Sequence, residues 1–144
     1  MLIGIVCVSN NNGIGKNNKC LFHLKTDRKF FHDKIAGKTV VIGKNTYKYL
    51  PSSVLKHCKH VHILSKQTPL PESYIHSNEE IFVLGGEKTY TSLAIYCSKY
   101  YITHIHADSE ADTFFCVNLD KFTEQTIASG IENGLKYDIK LYTK

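Results

Sequence analysis

Thr39-Val40-Val41-Ile42-Gly43-Lys44-Asn45-Thr46-Tyr47 is the stretch from which the fold can be read. Its first four residues have no charged break and end at glycine, as a strand buried on both faces of a parallel sheet should. A helix then begins with a lysine and a hydroxyl at its start. The arrangement recurs at Ile81-Phe82-Val83-Leu84-Gly85-Gly86-Glu87-Lys88-Thr89-Tyr90. At such strand-to-helix junctions a glycine lets the backbone approach a phosphate, and free amide groups at the helix start can donate to it. Paired glycines also suit a plain tight turn, but two junctions of this kind suit a ligand with several phosphates.

Outward from these junctions, strands are expected near 2–8, 60–65, 73–75, 100–107, 122–128 and 135–142, beside those at 39–43 and 81–84. Helices are expected near 25–36, 45–50 and 87–96. The alternation implies α/β: one domain over 1–144 with a mainly parallel eight-stranded sheet and helices on both faces. Between 122–128 and 135–142 lies the turn-rich Ser129-Gly130-Ile131-Glu132-Asn133-Gly134, so an antiparallel hairpin should close the sheet.

Composition excludes several classes. A chain of 144 residues with 42% hydrophobic content can bury a core and is neither disordered nor fibrous. The opening Met1-Leu2-Ile3-Gly4-Ile5-Val6-Cys7-Val8 lacks a basic leader region and is too short to span a bilayer, so a buried strand is expected there. Five cysteines (Cys7, Cys20, Cys58, Cys97, Cys116) without a Cys-x-x-Cys pair suggest reduced thiols and the cytoplasm. The net charge of +5 is spread along the chain rather than gathered in a run with aromatics. It suits a small polyanion, and no nucleic-acid partner is expected.

Asp27 is the one acid on the inward face formed by Leu24, Asp27, Phe31 and Ile35. It reads either as a helix-capping acid or as a pocket carboxylate, because a buried acid needs donors, a cation or a ligand that supplies the missing hydrogen bonds. No Gly-x-Gly-x-x-Gly and no Gly-x-x-x-x-Gly-Lys-Ser/Thr occurs, which disfavours the usual dinucleotide fold and the phosphate loop of nucleotide hydrolases.

Six ordered segments resemble dihydrofolate reductase: Gly13-Ile14-Gly15-Lys16; Leu21-Phe22-His23-Leu24 leading to Asp27 and Phe31; Val41 to Thr46; Leu84-Gly85-Gly86 with Tyr90; Tyr101-Ile102-Thr103-His104-Ile105; and Ala111-Asp112-Thr113-Phe114-Phe115. They run from the first strand to the final hairpin. The resemblance implies hydride transfer from NADPH to carbon 6 of dihydrofolate with a proton reaching nitrogen 5. It places Asp27 at the pterin, with Thr103 supporting it and Phe22 beside the reacting ring. Ile5, Cys7, Phe31, Leu50 and Leu84 would line the substrate pocket, although each suits plain core equally.

The resemblance puts Ile14, Gly15 and Cys20, with Cys7, at a loop that closes over nicotinamide and excludes water. Gly43, Lys44, Asn45 and Thr46 would meet phosphate, and Leu64, Ser65 and Lys66 the adenosine ribose. Gly85, Gly86, Glu87, Lys88, Thr89 and Tyr90, with Leu84, would hold the pyrophosphate and nicotinamide side, the glycines being joined by a cis peptide. Lys44 and Lys66, with no acid at the ribose, favour NADPH over NADH.

Departures from the family pattern carry expectations too. The chain has no tryptophan, and Phe22 stands where a Trp is usual, which keeps an apolar wall but loses a donor. Leu21 replaces a proline. Lys59 stands for an Arg that clamps the substrate's carboxylate tail and offers a point charge instead of a planar fork, so weaker binding is expected there. Arg28 reads equally as a compensating tail contact and as a solvated helix residue. His57, His60, His62, His104 and His106 lack metal-site spacing, so no metal is expected. A monomer that binds dihydrofolate and NADPH is the outcome, against a non-catalytic binder of the same fold, a related riboflavin-pathway reductase, or a basic nucleic-acid-binding domain.

Overall fold

The structure, a computed structural model, describes residues 1–144. Its first strand, β1 (Leu2–Val8), lies at the middle of the main sheet. The pair β2 (Gly13–Gly15) and β7 (Thr113–Phe114) forms a separate antiparallel ribbon. Helix α1 (Lys25–Ile35) leads to β3 (Thr39–Gly43), α2 (Lys44–Tyr49), a 3-10 turn and β4 (His60–Leu64). Then follow α3 (Glu72–Ile75), β5 (Ile81–Val83), α4 (Glu87–Leu93), a second 3-10 turn (Ala94–Tyr96) and β6 (Cys97–Ile105). The hairpin β8 (Thr123–Glu132) and β9 (Leu135–Thr143) completes the chain.

The main sheet has seven strands in the order β4-β3-β5-β1-β6-β9-β8. In it β4, β3, β5, β1 and β6 pair in parallel and the last two strands antiparallel. Val40, Val41 and Ile42 are fully buried, and Ile81, Phe82 and Val83 nearly so. Alternate residues reach opposite faces. Val41, Ile81 and Val83 pack with Tyr90 and Leu93 of α4, whereas Val40, Ile42 and Phe82 pack with Ile35 of α1. Helices therefore cover both faces, as the apolar runs required. No helix is long and apolar enough to cross a membrane.

Three expectations need correction. The sheet has seven strands, not eight, because residues 73–75 form part of the one-turn helix α3, which Pro71 starts with its φ of −60° and a carbonyl that accepts from Tyr74 N–H. Helix 87–96 ends at Leu93 and tightens into a 3-10 turn. The hairpin is longer than the turn-rich composition suggested. Strand β8 runs on to Glu132, and the turn is only Asn133-Gly134, with φ of 51° and 76°, as a two-residue hairpin turn demands. Gly130 is a strand residue, and a Cβ there would stand 2.5 Å from the Tyr137 hydroxyl. It is glycine because a ring lies across it.

Candidate active site

Helix α1 is anchored at both ends. Leu24 packs with Ile105, Tyr137 and Ile139, and Ile35 with Ile3, Ile5 and Val40. That orientation turns Asp27, in the first helical turn, toward β1 and β6. In the parallel register Cys7 of β1 stands beside Thr103 of β6. The Thr103 hydroxyl, 2% exposed, donates to Asp27 Oδ1 at 2.6 Å. Asp27 makes no side-chain cap on its own helix and is held instead by Thr103 of β6.

The electrostatics follow from this enclosure. Burial raises the Asp27 carboxyl above its ordinary range, although hydrogen bonds from Thr103 and Cys7 pull the other way. Burial is the larger effect. Cys7 is pushed far up, by burial first and then by the charge of Asp27. Cys20 is exposed as a residue. Its thiol is nonetheless raised by burial and by Asp27, while Arg28 acts in the opposite sense. Cys20 thus senses both charges at the rim.

An apolar wall completes the substrate side. Ile5 and Leu84 are buried, with Phe31 and Leu50 packed against their cluster. Phe22 packs against the neighbouring cluster that holds Leu24, as does Cys7. Arg28 is exposed and in no ion pair. Lys59 is exposed and its ammonium lies 3.6 Å from Glu79, so a tail carboxylate would have to compete with that acid. A shallow hollow of about 540 Å³ lies between His106, just after β6, and Ser129, Lys136 and Asp138 of the hairpin, and includes none of the expected site residues.

The two glycine junctions meet. Gly43 N–H donates to Gly85 O at 2.7 Å, and the Gly85-Gly86 peptide is cis. A Cβ on Gly43 would stand 2.6 Å from the Thr89 hydroxyl, and one on Gly86 would stand 2.8 Å from the Thr46 hydroxyl. The starts of α2 and α4 therefore lie side by side, with Lys44, Asn45 and Lys88 in solvent. Tyr90 donates to Ile5 O at 2.6 Å and lays its ring against Gly85. At the third edge, Leu64 ends β4, Ser65 Oγ lies 2.7 Å from Thr68 Oγ1, and Lys66 is exposed. Glu87 is already engaged, accepting from Phe114 N–H at 2.6 Å.

Gly85 has φ of +112°, and a Cβ there would come within 3.1 to 3.3 Å of the Tyr90 ring. Gly85→Ala is expected to cost about 1–3 kcal/mol through backbone strain alone. A denaturant melt of parent and variant reads that loss.

The loop bearing Ile14, Gly15 and Cys20 is held by the β2–β7 ribbon. Gly15 O accepts from Asp112 N–H at 3.0 Å, and Asn17 N–H donates to the Asp112 carboxylate at 2.9 Å. Ile14 packs onto the core. Sequence reasoning missed Ser9, 2% exposed, whose Oγ accepts from Gly13 N–H at 2.9 Å and sets the turn into this loop. The signal was a hydroxyl directly after an apolar strand. It also missed Glu132, which no local pattern marked.

Comparison with known proteins bears on the same residues. The sequence profile described as dihydrofolate reductase matches residues 1–144. The chain is 26% identical over 145 residues to the dihydrofolate reductase of Staphylococcus haemolyticus, covering 90% of this chain and 85% of that one. It is 30% identical over 122 residues to that of Buchnera aphidicola subsp. Acyrthosiphon pisum, covering 77% and 76%. With the type 9 dihydrofolate reductase of Escherichia coli it shares 28% identity over 138 residues, covering 81% and 77%.

Proposed function

Since the chain belongs to the dihydrofolate reductase family and is an enzyme that reduces dihydrofolate, we propose that it uses NADPH as its reductant and Asp27 as the carboxylate that holds the pterin. The observation that supports the role of Asp27 is the 2.6 Å bond from the Thr103 hydroxyl, which fixes Oδ1 and so the plane of the carboxylate. A pterin offers a 2-amino group and a ring N–H side by side, the pair of donors that a fixed carboxylate can accept.

The residues present fit NADPH. Gly43 and Gly86 leave room that a Cβ would take from the hydroxyls of Thr89 and Thr46, so a phosphate can approach the starts of α2 and α4, where Lys44, Asn45 and Lys88 stand in solvent. Lys44 and Lys66 supply positive charge, and Lys44, Asn45, Thr46, Ser65 and Lys66 include no acid that would repel a 2′-phosphate. When bound, this cofactor supplies the hydride that arrives at carbon 6.

The chain's own groups do the rest. Ile5, Phe31, Leu50 and Leu84 give the ring an apolar bed, and Phe22 walls it without donating. Asp27 orients the ring and, being partly buried, strengthens the field at nitrogen 5, which favours its protonation. Ile14, Gly15 and Cys20 exclude water when the loop closes. Arg28 and Lys59 border the path of the tail. The five unpaired thiols suit a reducing compartment, in line with a cytoplasmic monomer.

The test is loss of NADPH absorbance on mixing the protein with dihydrofolate, run beside NADH. Oxidation that requires dihydrofolate and is faster with NADPH is expected. Equal rates with the two cofactors would sink the assignment of Lys44 and Lys66.

A further inference from the structure

Helix α1 begins without a cap of its own. Leu24 stands at the N-cap position with no side-chain cap, and the first N–H groups of a helix need an acceptor. Glu132, at the end of β8 and more than a hundred residues away, provides it. Its carboxylate accepts from Lys25 N–H at 2.5 Å, Thr26 N–H at 3.2 Å and the Thr26 hydroxyl at 2.6 Å. Asp27 is the next residue.

The Asn133-Gly134 turn fixes where Glu132 stands, and β8 pairs with β9, which pairs with β6. The strand that carries Thr103 is thus two neighbours from the strand that carries the cap. Both grips on Asp27, the hydroxyl and the capped turn, come from one rigid piece of sheet. Resting on the assignment of Asp27 as the pocket carboxylate, we propose that Glu132 is a positioning residue for the reduction, clamping the first turn of α1 to the hairpin so that Asp27 meets Thr103.

The charge of Glu132 acts in the same place. Asp27 is faced by Thr103 from β6, Cys7 from β1, Cys20 from the loop and Glu132 from the hairpin, while the neighbouring Arg28 acts on Cys20. Among these, the acid of Glu132 opposes ionisation of Asp27. Thr26 and Lys25 in turn hold Glu132 below its ordinary range and keep it charged.

The experiment measures kcat, KM for dihydrofolate and the pH-rate midpoint in Glu132→Ala, Glu132→Gln and Asp27→Asn, with NADPH affinity by fluorescence and melting temperature for each. Glu132→Ala is expected to lower kcat about tenfold and to raise KM, because a misplaced first turn misplaces the acid, with NADPH affinity unchanged. Glu132→Gln keeps an acceptor but no charge, so its midpoint moves to lower pH. Melting temperatures that fall while kcat and the midpoint stay with the parent would make Glu132 a stabilising cap only, and overturn the proposal. If the Ala variant does not fold, the midpoint of the Gln variant decides. If Asp27→Asn keeps the parent rate, the assignment of Asp27 falls and this role falls with it. If Asp27→Asn loses the rate while both Glu132 variants match the parent, the role of Glu132 falls alone.

Discussion

Asp27→Asn is expected to lower turnover at neutral pH by roughly a hundredfold or more, the usual scale for removing a group that governs proton transfer. Asn can still accept from the Thr103 hydroxyl, so the geometry persists while the charge does not. The loss should ease as pH falls, because substrate then takes its proton from solvent. A pH-rate profile of both proteins checks this, and parallel profiles would remove Asp27 from the protonation step.

The same substitution has an opposite expected effect on stability. Burial raises the Asp27 carboxyl in the folded protein above its value in the unfolded chain. Stability from this group is therefore full below the unfolded value and is lost as pH rises through the folded one. Near neutrality the parent carries a partly buried charge at a cost that Asn avoids. Asp27→Asn should melt higher than the parent at neutral pH, and the gap should close in acid. A variant that is slower yet more stable is a signature that damage to the fold does not produce.

Gly4→Ala is expected to destabilise the protein by about 3 kcal/mol, near the upper end for overpacking a core. Gly4 lies in the central strand beside its register partner Tyr100. A Cβ would fall 2.3 Å from the Tyr100 ring, which is fully buried and packed edge-on against Phe115 and Phe122. The ring has nowhere to go. A drop in melting temperature of roughly 10 °C follows. Tyr100→Leu in the same background should recover part of it, giving a clear coupling in a double-mutant cycle. Two losses that simply add would show that the ring does move.

Legibility followed burial and range. The runs at 39–43 and 81–83 were plain in the sequence because both faces are covered and nothing polar interrupts them. Asp27 and the glycine junctions stood out because an acid on an apolar helix face and glycines between a strand and a helix are locally conspicuous, whereas Thr103 came only from the family resemblance, since a β-branched strand residue carries no local mark. The β2–β7 ribbon was not, since strands of three and two residues have no period to detect. Gly130 misled because glycine between Ser129 and Ile131 looks like a turn, whereas its true reason, the ring of Tyr137, sits seven residues on. Glu132 was silent for a related cause: its partners at Lys25 and Thr26 are distant in the chain, and no local pattern encodes them.

The position of β1 has a consequence for how the chain acquires its shape. Residues 2–8 pair only with β5 and β6, which begin at Ile81 and Cys97. The apolar first strand therefore waits, unpaired, while most of the protein is made. At roughly 5–20 residues per second of synthesis, that wait lasts several seconds or longer. The centre of the sheet closes over long loops, so folding is expected to be slow beside a helical bundle of this size. The segment Leu2–Val8 is where a chaperone would find its longest-lived target during synthesis.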